Sequence, residues 1–348
     1  MAKKLLFVCS KKFPGSIKVL ENLIGVLSGM MEIGFVFIED GIAKPLFKSI
    51  LPGYHRIEKK LNKRLYSINI DKLLEYENNL IFAGWGSEYG YVLEKLNKHG
   101  LQPSLIMCST IGQAELTKRE LFSYRQILSN LRQGNIKYWL LNKRLFDTFG
   151  SFIERSIYFP HVVDLKSFDQ ITTTQMEGNN LDLFCAIRNG KNILNQVLAY
   201  KLSNIPGSLH INFEDPDINA LIDLFDIKVV RHKWIPGADY YRLVSGMALS
   251  LQVTFTESFS YAVCERMCLS IPVITSYDVD LISGDEFLAE HLCVSSLDTP
   301  SAIARKIRRV LMDAKLRKDL ALHSKKRIEN IARVDNQLVC DTIKRLFL

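Results

Sequence analysis

The sequence predicts an α/β protein of two doubly wound, Rossmann-like domains facing each other across a cleft. Three observations predict it. Short apolar runs alternate with helical stripes from residue 5 onward, and the same alternation restarts at residue 182. Between the two series lies a stretch broken by Pro160 and followed by polar residues 169–180, as at a domain boundary. The 348 residues are enough for about two domains, each able to bury its own core.

The first series opens with a buried strand at 5–10 and a loop at 11–16 that contains Pro14 and Gly15. Val19, Leu20, Leu23, Ile24 and Leu27 then fall on one helical face, and Gly29 ends the helix. Strands follow at 33–38, 79–83 and 105–108, with a helix at 89–97. Residues 42–68 are basic and irregular. Arg119, Arg125 and Arg132 interleave with Leu121, Phe122, Ile127, Leu128 and Leu131, a pattern that suits two amphipathic helices. The second series has strands at 182–186, 209–213, 228–230, 249–255 and 272–275. Its helices are expected from Ile193, at 217–226, 240–247 and 259–268, and from 301 to the end. The expected domains are 1–160 and 161–335, with a final helix at 336–348 packing back on the first.

The apolar and charged fractions, 47 % and 24 %, are those of an ordinary globular protein. The net charge of +8 fits anionic small molecules or an anionic membrane surface, and it also fits nucleic acid. Seven cysteines, several in apolar runs such as those around Cys9 and Cys185, lack metal-like spacing and read as reduced, buried thiols. The N-terminal apolar run is too short for a signal sequence, and no run of about 18 apolar residues follows. The expected location is the cytoplasm, with peripheral contact at the inner membrane face.

The most informative segment is 251–276. A strand ends, Glu257 sits in the loop, a helix starts, and Glu265 falls eight positions on before Pro272 opens a new strand. A carboxylate at a strand's carboxyl end can accept hydrogen bonds from sugar hydroxyls. Residues 259–262 place backbone N–H groups at a helix N-terminus, which favours a diphosphate. Arg188 and Lys191 lie in the loop after the first strand of the second series, where a guanidinium fork and a point charge can neutralise a diphosphate. Either pair alone is common by chance; the strand–loop–helix–strand frame gives them weight.

Glu257 with Glu265, the Arg188 and Lys191 loop, and the linker Phe159-Pro160-His161-Val162-Val163-Asp164 together resemble the GT-B glycosyltransferases of family 4. These are retaining enzymes that use nucleotide sugars. The E-x(7)-E spacing matches at Glu257 and Glu265, and the linker is similar to that family's P-N-G-V-D at the domain crossover. The resemblance covers about residues 158–280. It implies a first domain that binds the acceptor and a second that binds the donor. It implies that Arg188 and Lys191 bind the donor diphosphate, Glu257 the transferred sugar and Glu265 the ribose. Ser258, Phe259, Ser260 and Tyr261 would form the donor loop, and Gly15 would approach the phosphates from the first domain.

The family usually shows Glu-Gly-Phe-Gly; here Ser258 and Ser260 replace both glycines. No histidine stands after the fourth strand, so Trp85, Glu88 and Ser109 are acceptor-side candidates by position only. The implied reaction is front-face displacement without a protein nucleophile, with the leaving diphosphate taking the acceptor's proton. Positioning and charge stabilisation would carry it, with no cofactor and no metal expected, since no DxD pattern suits one. Asp278-Val279-Asp280 reads as a surface loop. Trp234 reads as a core residue or a base-stacking one, and the basic run at 56–64 as a solvated helix face or a lipid contact. The expected partners are a nucleotide-sugar donor and a glycan, lipid-linked or other acceptor; nucleic acid is not expected. A nucleotide-sugar epimerase, a non-catalytic nucleotide-sugar module and a nucleic-acid binder are the alternatives.

Overall fold

The computed structural model describes residues 4–10, 14–38, 79–85, 87–107, 110–112, 118–169, 171, 181–185, 191–212, 215–233, 235, 237–257, 259–295, 297 and 299–347. By contact the chain divides into two compact units: Met1–Asp164 with Ala332–Leu348, and Leu165–Ile331. Each unit holds one six-stranded sheet in which every described pairing is parallel.

The first sheet contains β1 (Lys4–Ser10), β2 (Glu32–Ile38), β3 (Leu80–Ala83), β4 (Ser104–Met107), β5 (Trp139–Leu141) and β6 (Ser156–Tyr158), in the order β2-β1-β3-β4-β5-β6. The order reverses between β1 and β3, the topological switch point. Helices α1 (Pro14–Leu27), α2 (Ser87–Lys98), α3 (Lys118–Arg132) and α4 (Lys143–Phe149) connect the strands. A parallel sheet is covered on both faces, so its strands are continuous apolar runs. Residues 5–9 of β1 and all of β3, β4 and β5 are accordingly buried. Leu6, Val8, Phe82, Tyr89, Ile127 and Trp139 are central to this core.

Three details differ from the sequence expectation. Helix α1 begins inside the expected loop, at Pro14, because proline's fixed φ and missing N–H suit the first helical turn. The arginines and leucines of 119–132 lie on the single helix α3, not on two. Strands β5 and β6 have no counterpart in the sequence pattern, since three residues leave no readable period.

The second sheet contains β7 (Leu183–Cys185), β8 (Leu209–Ile211), β9 (Val229–Arg231), β10 (Leu249–Gln252), β11 (Val273–Ser276) and β12 (Cys293–Val294), in the order β12-β11-β10-β7-β8-β9. Chain order runs outward in both directions from β7 and β10, so the switch point lies between them. The helices are α5 (Lys166–Asp169), α6 (Ile193–Ser203), α7 (Pro216–Leu224), α8 (Gly237–Ser245), α9 (Tyr261–Cys268), α10 (Asp280–Ser283), α11 (Glu286–Leu292), α12 (Pro300–Met312) and α13 (Ala314–Phe347). Helix α7 shows why such elements start where they do. The Asp215 carboxylate accepts the N–H groups of Asp217 and Ile218 at 3.0 and 3.1 Å, with Pro216 in the first turn.

The segment 159–164 is buried throughout and irregular, so its backbone needs side-chain partners. Asn336 on α13 donates to the Val163 carbonyl at 2.8 Å and accepts its N–H at 3.0 Å. Asn22 on α1 accepts the Asp164 N–H at 2.9 Å. Burial pushes the His161 pKa down to about 4.

Candidate active site

Strands β7 and β10 pair in register, Leu183 against Leu249 and Cys185 against Leu251. Parallel strands end on the same side, so the loops that follow them open into one crevice. Lys191 comes from the loop after β7 and Glu257 from the loop after β10. The Lys191 ammonium donates to Glu257 Oε2, and the side chains are only 7 % and 14 % exposed. Two residues 66 positions apart are thus joined as a shielded ion pair at the switch point.

Both loops hang on one amide. Gln196, on α6, is fully buried. Its Nε2 donates to the Lys191 carbonyl at 2.7 Å and to the Asn192 carbonyl at 3.1 Å. Its Oε1 accepts the Val253 N–H at 2.9 Å. That bond explains why β10 stops at Gln252 and not at 255: the next N–H belongs to Gln196 instead of the ladder. Asn192 sits in the left-handed region (φ 51°) and donates to the Leu297 carbonyl at 2.7 Å.

Helix α9 begins beside this pair. Ser260 is its N-cap, with φ at 55°, and makes no side-chain capping bond. The Ser260 carbonyl accepts the N–H groups of Val263 and Cys264, each at 3.0 Å. A left-handed φ at this position is natural for glycine and costs a serine about 1 kcal/mol. Glu265, one turn into the helix, accepts the Tyr241 phenol of α8 at 3.0 Å. Arg266 next to it is wholly buried. It donates to Ser250 Oγ at 2.6 Å, to Tyr240 Oη at 2.8 Å and to the Ala262 carbonyl, and it lies over the Phe184 ring at 5.3 Å. Adjacent tyrosines therefore strap α8 to α9, one on Arg266 and one on Glu265.

The structure brings Lys191, Glu257, Phe259, Ser260, Tyr261 and Glu265 into one region of the second unit. Phe259 and Tyr261 pack edge to face with ring centres 5.0 Å apart. Arg188, Ser258, Ser109 and Trp234 lie outside the described residues, as does the basic run at 56–64. Gly15 falls in the first turn of α1 and Glu88 in the first turn of α2. Trp85 is buried in the core of the first unit. Its indole stacks on Tyr89 at 5.9 Å and donates to Gln126 Oε1 at 3.0 Å. Asp280 starts helix α10, and Val279 beside it is buried. Among the described residues no group of three or more His, Cys, Asp or Glu is arranged to hold a metal ion. Among them, too, no helix is long and apolar enough to cross a membrane. Burial pushes the Cys185 thiol up to about 12, as for an inert core cysteine.

Sequence reasoning missed Gln196, Tyr241 and Arg266. Gln196 and Arg266 sit at positions where an apolar residue is the default, and only the fold shows what their polar atoms reach.

The chain matches no family model and no curated protein by sequence. By structure it matches glycosyltransferases. A sucrose-phosphate synthase from Thermosynechococcus elongatus superposes with a TM-score of 0.71 at 14 % identity, covering 99 % of both chains. HepE from Anabaena, solved with UDP, gives 0.70 at 12 % identity, covering 99 % of this chain and 100 % of that one. TarM from S. aureus, a mutant solved with UDP among its ligands, gives 0.63 at 13 % identity, covering 82 % of this chain and 60 % of that one. The chain has the GT-B fold. That likeness fixes the architecture of two parallel α/β units.

Proposed function

We propose that this protein is a glycosyltransferase that moves a sugar from a nucleoside-diphosphate sugar to an acceptor with retention of anomeric configuration. The observation that carries the reading is the Lys191–Glu257 pair at the switch point, beside the N-terminus of α9. In the donor complex Lys191 turns to the diphosphate and Glu257 accepts hydrogen bonds from the sugar hydroxyls. Arg188 and the N–H groups at the start of α9 share the phosphate charge. The donor loop is Ser258, Phe259, Ser260 and Tyr261, and Glu265, held by Tyr241, takes the ribose hydroxyls.

The chemistry follows from that placement. The bond from the anomeric carbon to the phosphate oxygen breaks, and its electron pair leaves with the diphosphate. The acceptor oxygen attacks the same face and its proton passes to a diphosphate oxygen. Preorganised cations stabilise the charge that develops on the leaving group, a contribution of about 3 kcal/mol per well-placed donor. HepE is solved with UDP, with UDP and glucose, and with UDP-glucose, and GtfA with UDP and GlcNAc. Those ligands make uridine diphosphate the first nucleotide to try.

The test is a thermal-shift series with UDP, other nucleoside diphosphates and their sugars, followed by product analysis. A glycosyltransferase is stabilised by at least one diphosphate and releases it when sugar is transferred or hydrolysed. Stabilisation without any turnover on a broad acceptor panel supports a binding module instead, and a changed sugar on an intact donor supports an epimerase.

A further inference from the structure

The charge of the chain is not spread over it. Residues 301–327 hold ten Lys and Arg against two Asp, a net +8, while the rest of the chain holds 35 cations and 35 carboxylates. The excess that gives the whole protein its charge therefore resides in one segment of the second unit, helix α12 and the first part of α13.

The fold determines which of these cations face outward. Ile303, Ala304, Ile307, Val310 and Leu311 form the buried stripe of α12. Its opposite stripe exposes Arg305, Arg308 and Met312. Only Asp313 separates the two helices, and its carboxylate caps α13 by accepting the Leu316 N–H at 2.9 Å. The exposed positions then continue with Lys315, Lys318, Asp319, Leu322, Lys325 and Lys326. The remaining cations serve the fold: Lys306 and Arg309 meet Glu290, Arg317 the Leu311 carbonyl, and Arg327 the Leu281 carbonyl. Seven cations of the segment are thus exposed on two consecutive helices, six of them besides the Arg309 that meets Glu290. Two large apolar side chains stand among them, Met312 at 69 % and Leu322 at 53 % exposure.

We propose that the exposed stripes of α12 and α13 together form a docking surface for an anionic membrane. Lysines and arginines near a lipid surface each add about 1 kcal/mol of attraction, and exposed apolar side chains among them enter the headgroup layer. The apolar pair favours a lipid surface over a duplex, whose phosphodiester exterior gives Met312 and Leu322 no apolar layer to enter. The surface is independent of the donor site and stands whether or not the chain transfers a sugar. It also differs from the basic run at 56–64, which the sequence alone suggests for this role.

The experiment is sedimentation of the full chain with vesicles of phosphatidylcholine alone and of phosphatidylcholine mixed with phosphatidylglycerol. Binding to the anionic vesicles only, and its loss at high salt, is the expected result. Lys315→Gln with Lys318→Gln weakens that binding by about fivefold for each lysine. The control pair Lys98→Gln and Lys143→Gln, on exposed lysines of the first unit, leaves it unchanged. Met312→Ser with Leu322→Ser weakens vesicle binding while leaving the affinity for a single-stranded oligonucleotide as it was. Equal binding to neutral vesicles, no binding at low salt, or tight binding to the oligonucleotide with none to anionic vesicles overturns the proposal. Unchanged anionic-vesicle binding by a Lys315→Gln, Lys318→Gln protein whose circular dichroism matches the wild type also overturns the proposal, since the binding then lies elsewhere on the chain.

Discussion

Each sheet has its switch point beside the first strand of its unit, and the strand ends there differ in kind. After β7 and β10 come a lysine and a glutamate, paired and shielded from water, in loops that the Gln196 amide ties at Lys191 and Val253. After β3 comes Gly84, with φ at 80°, and then Trp85 and Tyr89, packed together with the Tyr89 phenol donating to the Ala83 carbonyl at 2.9 Å. One strand end is polarised and the other is a continuation of the core. A shared α/β plan therefore locates a crevice but assigns it no chemistry; the side chains at the strand ends do that.

Four experiments probe that contrast. The largest effect on stability is expected at Trp85. Trp85→Ala removes a buried indole and should lower unfolding free energy by about 3–5 kcal/mol in denaturant titration, yet leave diphosphate affinity in the folded fraction unchanged. Lys191→Met or Glu257→Gln alone breaks a shielded ion pair and costs on the order of 3 kcal/mol. The double variant should recover much of it, a coupling that a double-mutant cycle measures.

The third concerns pH and the first unit. His161 is held neutral, its pKa near 4 against an ordinary 6.5. Below 6.5 the unfolded chain takes up a proton that the folded chain refuses. Stability is thus complete above 6.5 and falls as pH drops toward 4, by up to about 3 kcal/mol. Asp335 acts the other way. Burial raises its carboxyl to about 6, so its contribution is lost as pH rises from 3.8 through that value. Asp335→Asn should therefore uncover the His161 slope in a pH series of melts.

The smallest effect is expected at Ser260. Ser260→Gly relieves a left-handed serine and should stabilise the second unit by up to about 1 kcal/mol. A loss of stability there would mean that the Ser260 side chain does more than tolerate its backbone.

Much of the fold is legible in the sequence because parallel strands announce themselves as apolar runs, as at Leu5–Cys9. Strands β5, β6 and β12 are not, being two or three residues long and defined by their neighbours. At the site, Glu257, Glu265 and Lys191 can be singled out because a charge at a strand end or helix start has few structural duties. Gln196 and Arg266 cannot. Their partners lie 57 and 16 residues away at Val253 and Ser250, distances that no local pattern spans. The meaning of Ser260 is also hidden. The sequence shows only a serine where the resembling family usually has glycine, and its positive φ of 55° is visible in the structure alone.

If the Lys191–Glu257 pair is a donor site, the cation serves the diphosphate and the carboxylate serves the sugar. Titration calorimetry of UDP and a UDP-sugar against three proteins separates those two duties. The wild type should bind both, and the sugar should tighten binding. Glu257→Gln should keep the UDP affinity and lose the advantage conferred by the sugar. Lys191→Met should weaken both by tenfold or more, in line with about 1.5–3 kcal/mol for a charged hydrogen bond. Unchanged affinities in the folded Lys191→Met protein would contradict the assignment.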